Sequence, residues 1–184
     1  MVTSNQLTPG MTISLNGKLY RVESSVKVTV QKGTPFIKTK LKDLTTQEII
    51  EKNFKPDQTI KDVALVERRL EFLYLEGEDY LFLDIGNLEQ VLIPPHIIDE
   101  ASNYLKEGVE VRASFYGESI FSVELPQFLE LMVGKIENEG KHANNNGTKI
   151  AVLETGANIE VPTFIEPGDI IKVDTKTNEY IQRV

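Results

Sequence analysis

Between Lys18 and Lys42 the chain places seven basic residues, Lys18, Arg21, Lys27, Lys32, Lys38, Lys40 and Lys42, against a single acid, Glu23. Cations grouped in this way can follow a phosphate backbone, where each one that neutralises a phosphate releases a counterion. Lys32 differs from the others. It sits between Gln31 and Gly33 in a short polar stretch, where a lysine projects a compact ammonium on a flexible stem. Acid–base or nucleophilic chemistry finds little to work with. His96 follows Pro94-Pro95 and reads as a helix-terminal or surface side chain, while His142, between Lys141 and Asn144, reads as solvated. Glu76, Glu78 and Asp79 gather at a turn, where solvation accounts for them. There is no cysteine, no Gly-rich phosphate loop, no G-x-S-x-G elbow and no H-E-x-x-H pair. No catalytic residue, metal site or cofactor is expected, and a small-molecule binder using a barrel mouth has no recognisable constellation.

The elements that hold the cations are strands with period-two patterning. Met11, Ile13 and Leu15 alternate with polar neighbours, and Asn16-Gly17 is the dipeptide preferred in a type I′ hairpin turn. A strand over Lys18 to Val22 follows. Val26, Val28 and Val30 then alternate up to a tip at Gln31-Lys32-Gly33-Thr34. The return strand, Phe36 to Leu44, puts Phe36, Lys38, Lys40 and Lys42 on one face and Ile37, Thr39 and Leu41 on the other. The first segment is therefore a small curled β-unit with a basic-faced hairpin.

Farther along, Leu70, Phe72 and Tyr74 run to a turn at Glu76-Gly77-Glu78 and return through Tyr80, Phe82 and Asp84. One helix is expected from Pro95, with Ile97, Ala101, Tyr104 and Leu105 on one face and Gly108 just past its end. Strands over Val109–Phe115 and Ser119–Glu124 come after it. Short strands with one helix before the fourth, in about 60 residues, fit a small Greek-key barrel of the OB type. Pro126 marks the next break. Strands over Phe128–Ile136, Lys149–Leu153, Asn158–Phe164, Ile170–Asp174 and Glu179–Arg183 make a second five-stranded barrel, interrupted by a polar loop over Glu137 to Gly147. The expected fold is all-β, three small barrels in a row, with boundaries at 1–64, 65–126 and 127–184.

Charge divides along the same lines. Of 184 residues with a net charge of −8, residues 1–63 hold 10 Lys/Arg and 6 Asp/Glu, residues 64–126 hold 4 and 13, and residues 127–184 hold 6 and 9. An acidic body with one basic end points that end at a polyanion while the remainder repels it. The competing interpretation is a merely solvated basic face. With 40% hydrophobic residues, no run of about 20 apolar residues and no secretory pattern at Met1 to Gln6, a cytoplasmic protein that spans no membrane is expected.

The chain resembles the bacterial elongation factor P family. The longest match is the run Leu153-Glu154-Thr155-Gly156, Val161-Pro162-Thr163-Phe164-Ile165, Gly168 to Thr175, Glu179-Tyr180 and Arg183. Tyr74-Leu75, Gly77, Tyr80, Phe82, Asp84 and Glu89-Gln90 match in the middle segment. In the first segment Gly17, Tyr20, Val22-Glu23, Lys32-Gly33, Phe36 and Lys40-Leu41 lie at family spacing. The resemblance implies an SH3-like (KOW-type) barrel followed by two OB-folds in an elongated L that mimics transfer RNA. It also implies binding to the 70S ribosome between the peptidyl and exit sites, where such proteins relieve stalling at consecutive prolines by positioning the CCA end of the peptidyl-site tRNA.

By that resemblance Lys32 is the residue that reaches the CCA end and that a lysine-modifying enzyme extends. Lys27, Gly33, Lys38, Lys40 and Lys42 are the expected RNA contacts, and Tyr180 and Arg183 match family positions that contact ribosome or tRNA. No cofactor is implied, and a monomer is expected. The chain departs from the family in two places. Val30-Gln31 stands where Pro-Gly commonly precedes the tip lysine, with a proline later, at Pro35. In the third segment, a Gly-Asp-Thr-Ala-Gly-Thr loop motif is reduced to Gly147-Thr148. The alternatives are an elongation factor P-like paralogue with a different ribosomal task, and a generic OB-fold protein binding single-stranded nucleic acid. The second needs exposed stacking aromatics, and the chain has no Trp, 6 Tyr and 8 Phe.

Overall fold

The computed structural model describes residues 1–137 and 147–184. His142, Lys141 and most of the expected loop at 137–147 lie outside the described residues. Within them the chain is built on three antiparallel, barrel-like sheets with short helical turns.

The first sheet contains β1 (Val2–Thr3), β2 (Thr12–Leu15), β3 (Lys18–Val28), β4 (Phe36–Asp43), β5 (Ile49–Phe54) and β6 (Thr59–Val63), in the order β1-β6-β2-β3-β4-β5. Asn16 and Gly17 have φ of 50° and 78°, the left-handed pair that a type I′ turn between β2 and β3 requires. Ile13, Val22, Ile37, Leu41, Phe54 and Ile60 form the core with Leu7. Alternation on β4 is as the sequence indicates, with Ile37, Thr39 and Leu41 inside and Lys38 and Lys40 outside. The buried Thr39 hydroxyl donates to the Lys52 carbonyl at 2.7 Å, so its polar atom is satisfied. β3 is one strand of 11 residues, longer than the Lys18 to Val22 stretch expected, because a bulge at Glu23 lets it change phase and continue.

The second sheet takes β7 (Val66–Glu76), β8 (Asp79–Asp84), β9 (Gln90–Ile93), β10 (Glu110–Tyr116) and β11 (Ser119–Glu124), in the order β11-β10-β7-β8-β9. Phe72 packs against Phe82 and Tyr80, with ring centroids 5.4 and 5.9 Å apart. The expected helix is shorter than the spacing suggests. α1 covers only Pro95–Ile98, and a 3₁₀ segment runs over Asp99–Tyr104. The break is at Asp99, whose φ of 47° and ψ of −125° lie outside the helical region. Tyr104 and Leu105 are buried as the spacing indicates.

The third sheet contains β12 (Phe128–Ile136), β13 (Thr148–Leu153), β14 (Asn158–Pro162), β15 (Ile170–Asp174) and β16 (Glu179–Arg183), in the order β14-β13-β12-β15-β16. The chain as a whole forms two compact units, Met1–Val66 with Tyr116–Phe121, and Glu67–Phe115 with Ser122–Val184. In the second unit, Tyr104 belongs to the core of the third sheet, among Leu131, Val133, Ile159, Ile171 and Val173. Its hydroxyl donates to Asn178 Oδ1 at 2.5 Å. Burial, and behind it the Asp174 carboxylate, pushes the phenol above its ordinary value and keeps it a donor. Lys106 Nζ reaches Glu154 at 2.9 Å, and Thr155 donates to the Asn103 carbonyl at 2.6 Å.

One turn recurs in all three sheets. Asp43, Asp84 and Asp174 each end a strand with a buried side chain. Their Oδ1 atoms accept from the second and third following backbone N–H groups, at Thr45 and Thr46, Gly86 and Asn87, and Lys176 and Thr177. Four residues on, Gln47, Leu88 and Asn178 have φ of 64°, 61° and 60°, and each donates its N–H to the aspartate carbonyl at 2.8 Å. Among the described residues the second Asp84 oxygen has no hydrogen-bond partner; Arg68 lies 3.8 Å from it and is stacked on Phe115.

Burial alone raises the Asp43 and Asp174 carboxyls, but their hydrogen bonds and the nearby Lys18 and Lys176 charges outweigh it and hold both below the ordinary 3.8. In acid the unfolded chain therefore binds these protons before the folded one does, so stability falls as the pH drops from the ordinary carboxylate value through the lower folded value. Asp43→Asn and Asp174→Asn keep an acceptor oxygen and remove the titration. Urea unfolding from neutral pH down to about pH 2 should show each variant less stable than wild type at neutral pH and less acid-sensitive. An acid slope unchanged from wild type would refute the assignment.

Candidate functional site

The basic hairpin is β3 and β4. Before the bulge, Arg21 pairs with Lys42 and Val22 with Leu41; after it, Ser24 pairs with Lys40, Val26 with Lys38 and Val28 with Phe36. Opposed residues in antiparallel strands share a face. Arg21, Lys38, Lys40 and Lys42 thus line one outer face, continued onto β5 by Ile49, Glu51 and Asn53. Lys38 Nζ lies 3.8 Å from Glu51, an exposed pair. Neither Lys40 nor Lys42 makes an ion pair among the described residues. Val26 and Ile49 expose their side chains on the same face, so the cations are set between apolar patches.

Lys27 is placed differently. It pairs with Ile37, and Ser25 pairs with Thr39, which in turn opposes Lys52. Lys27 and Lys52 therefore project from the face opposite the Lys38, Lys40 and Lys42 row. The sequence cluster separates into two faces, and Arg21, not singled out from the sequence as a contact, joins the larger one. Only the register reveals this, because the extra residue Glu23 reverses the phase of β3 midway.

Beyond the paired strands, residues 29–35 make the tip, and Lys32 is its exposed centre. Lys32 makes no ion pair among the described residues. Gly33 has φ of 149°, and a Cβ there would lie 3.0 Å from the Val30 side chain. Glycine thus lets the tip pass close to Val30, next to the exposed Lys32. Pro35 precedes the first paired residue of β4, where its missing N–H interrupts no ladder.

Tyr180 and Arg183 lie on β16. Tyr180 pairs with Val173 and packs against the third core, half-buried. Arg183 is exposed, 5.4 Å over the Phe164 ring and 4.0 Å from Asp169. Lys172 sits 4.9 Å over Phe128. His96, in α1, is exposed. Among the described residues no group of three or more His, Asp or Glu side chains could hold a metal ion, and no helix is long and apolar enough to cross a membrane.

Three small barrel-like sheets follow one another along the chain, the first carrying a cationic hairpin. The Elongation factor P (EF-P) KOW-like domain matches residues 3–60, the Elongation factor P (EF-P) OB domain residues 65–123, and the Elongation factor P C-terminal domain residues 129–183. The solved structure of eukaryotic translation initiation factor 5A from Methanococcus jannaschii covers 66% of this chain and 94% of its own, with a TM-score of 0.51 at 20% identity, which is a likeness of fold. Elongation factor P 1 of Protochlamydia amoebophila is 71% identical over 184 residues, all of both chains. Elongation factor P 1 of Chlamydia caviae is 50% identical over the full length of both, and elongation factor P of Natranaerobius thermophilus 39%, over 100% of this chain and 98% of its own. The chain belongs to the elongation factor P family and is a translation elongation factor.

Proposed function

We propose that this elongation factor binds the 70S ribosome between the peptidyl and exit sites and stimulates peptide-bond formation at consecutive prolines. It does so by positioning the CCA end of the peptidyl-site tRNA, and not as an enzyme. The observation that carries this reading is the tip: an exposed Lys32, without an ion pair among the described residues, at the end of a hairpin whose outer face holds Arg21, Lys38, Lys40 and Lys42. Proline is a poor nucleophile and a rigid donor, so much of the barrier is geometric. A probe that holds the acceptor end in a reactive pose recovers part of the orientation entropy that two free reactants lose. The row of lysines follows the RNA backbone, Gly33 shapes the tip, and Lys32 reaches past the backbone.

Three barrels, 1–64, 65–126 and 127–184, divide this work. The acidic β7–β8 turn of the middle barrel, with Glu76, Glu78 and Asp79, faces away from RNA or towards basic proteins. Tyr180 and Arg183 supply a further contact from the third barrel. The protein acts as a cytoplasmic monomer, and a modifying enzyme that lengthens Lys32 would extend its reach.

The cationic face is tested by ribosome binding across a salt series. Lys38→Gln, Lys40→Gln and Lys42→Gln together should weaken affinity and flatten its dependence on log salt by about 0.9 for each phosphate no longer neutralised. Unchanged affinity and slope would remove the hairpin from the interface. Lys27→Gln, on the opposite face, reports whether that side also meets phosphate.

A paralogue with the same body and another ribosomal task is the second reading, favoured by Val30-Gln31 in place of Pro-Gly before the tip. Failure to relieve proline stalls, with ribosome binding intact, would select it.

A further inference from the structure

A cleft of about 370 Å³ opens where the second and third sheets join, and its walls carry Arg69, Glu110, Arg112, Glu124 and Lys176. Residues 64–126 contain only four basic side chains, Arg68, Arg69, Lys106 and Arg112. Two of them line this opening, beside Lys176 from the recurring turn of the third sheet. Three cations meet two carboxylates here, in the most acidic part of the chain.

The cations are only partly engaged. Arg69 Nη2 lies 2.5 Å from Glu110, and Arg112 Nη2 lies 3.0 Å from Glu124 Oε1. Among the described residues Lys176 makes one ion pair, with that same Glu124 oxygen at 3.9 Å, and its charge also acts on Asp174. An arginine carries five N–H donors and a lysine three, and each guanidinium here pairs with its carboxylate through one nitrogen. The three cationic side chains are 67%, 57% and 61% exposed, and ion pairs so exposed contribute little to stability. Nor are they needed to join the sheets, which Tyr104, Asn103 and Lys106 already do. Spare donors converging on a polar hollow suit a tetrahedral anion, for which guanidinium groups offer forked hydrogen bonds.

We propose that this cleft is a phosphate-binding site, separate from the hairpin, in which Arg69, Arg112 and Lys176 hold a phosphate group of an RNA backbone while Glu110 and Glu124 occupy the cations when it is empty. Glu124 then acts as an internal competitor. It lowers affinity for short or isolated anions, and it keeps unpaired cations from accumulating in an acidic surface.

The test uses the full-length chain with Arg112→Gln, Lys176→Gln and Glu124→Gln, each measured against fluorescently labelled deacylated tRNA over a salt series. Arg112→Gln and Lys176→Gln should each weaken binding by about threefold and flatten the slope against log salt by about 0.9, the value of one phosphate. Glu124→Gln, which frees two cations, should strengthen binding by a similar factor. Opposite signs are the signature. If Arg112→Gln and Glu124→Gln shift tRNA affinity in the same direction, or neither shifts it, the carboxylates and cations only pair with each other and the proposal falls.

Inorganic phosphate, followed by the arginine side-chain NMR signals, separates the two sources. Saturable shifts of Arg112 that vanish in Lys176→Gln assign the site to free phosphate, whereas a tRNA effect without them assigns it to RNA backbone. Lys38→Gln with Lys42→Gln in the same tRNA assay keeps the hairpin separate: weaker binding there with no change in the cleft variants overturns this site alone.

Discussion

Lys32→Ala should leave a folded protein that still binds ribosomes and no longer speeds the proline step. Lys32 is exposed, unpaired among the described residues and outside the strand ladders, so its removal breaks no packing and no hydrogen bond of the barrel. Surface changes of that kind usually alter stability by less than about 0.5 kcal/mol. The effect on function should be far larger. If the tip contributes orientation at the reacting end, its loss returns about 10- to 100-fold in rate, or roughly 1.4 kcal/mol for each tenfold. A reconstituted translation assay on a reporter with three consecutive prolines, comparing unmodified wild type with the variant, reads this directly. The intact mass of natively expressed protein shows whether Lys32 carries an added group. Equal activity of the two proteins would reduce Lys32 to a hairpin tip. Inactivity of both, with an unshifted native mass, would move the paralogue ahead.

Tyr104→Ala should be the most damaging single change in the second unit. The side chain is 3% exposed and comes from the 3₁₀ segment after the second sheet, yet its ring packs in the core of the third sheet. Truncating a buried aromatic costs about 3–5 kcal/mol. A barrel of about 60 residues buries only roughly 60% of its unfolded surface and has little stability to lose. Calorimetry should therefore show the cooperative unfolding of the two sheets split into two transitions, the lower belonging to the third sheet. Tyr104→Phe keeps the ring and loses the Asn178 hydrogen bond, so it should cost only about 1 kcal/mol and preserve the single transition. One transition with an unchanged midpoint in Tyr104→Ala would show that the sheets are coupled elsewhere.

Much of this fold was legible in the residues, and the places where it was not have physical causes. Period-two runs identified β2, β4, β8, β10, β11 and all five strands of the third sheet to within a residue or two, whereas β7 starts at Val66, four residues before the expected Leu70, and a shift of register between Phe72 and Tyr74 turns Tyr74 outward. β5 and β6 carry no such signal. Ile49-Ile50-Glu51-Lys52-Asn53 is exposed throughout and only Phe54 is buried, so a strand paired on one side only has no alternation to reveal it. β1 has only two residues, and in β9 Val91, Leu92 and Ile93 are consecutive apolar residues with no alternation. At the helix, burial of Tyr104 and Leu105 followed the spacing, but the backbone break at Asp99 carries no signal in residue type.

The recurring turn did leave a trace, an aspartate with a glutamate five residues later at Asp43/Glu48, Asp84/Glu89 and Asp174/Glu179. It stays hidden because the intervening residues differ and the aspartate's partners are backbone N–H groups. For the hairpin, counting from the strand start places the lysines of β4 correctly. What it cannot supply is their relation to Lys27, which depends on pairing across the sheet. The partner of Tyr104 lies some 70 positions away at Asn178, and no local pattern points there.

The unpaired Glu23 gives the hairpin a reserve of length. Substituting any one lysine removes one charge and leaves the others where they were. Losing the single codon for Glu23 would do as little, because Ser24 would still oppose Lys40 and Lys27 would still oppose Ile37 in an unbulged ladder. A residue gained after Ser24 would instead turn Lys27 towards the row it now opposes and redraw the charge map of the probe. Variation in this family member should therefore tolerate a shorter β3 at the bulge more readily than a longer one beyond it.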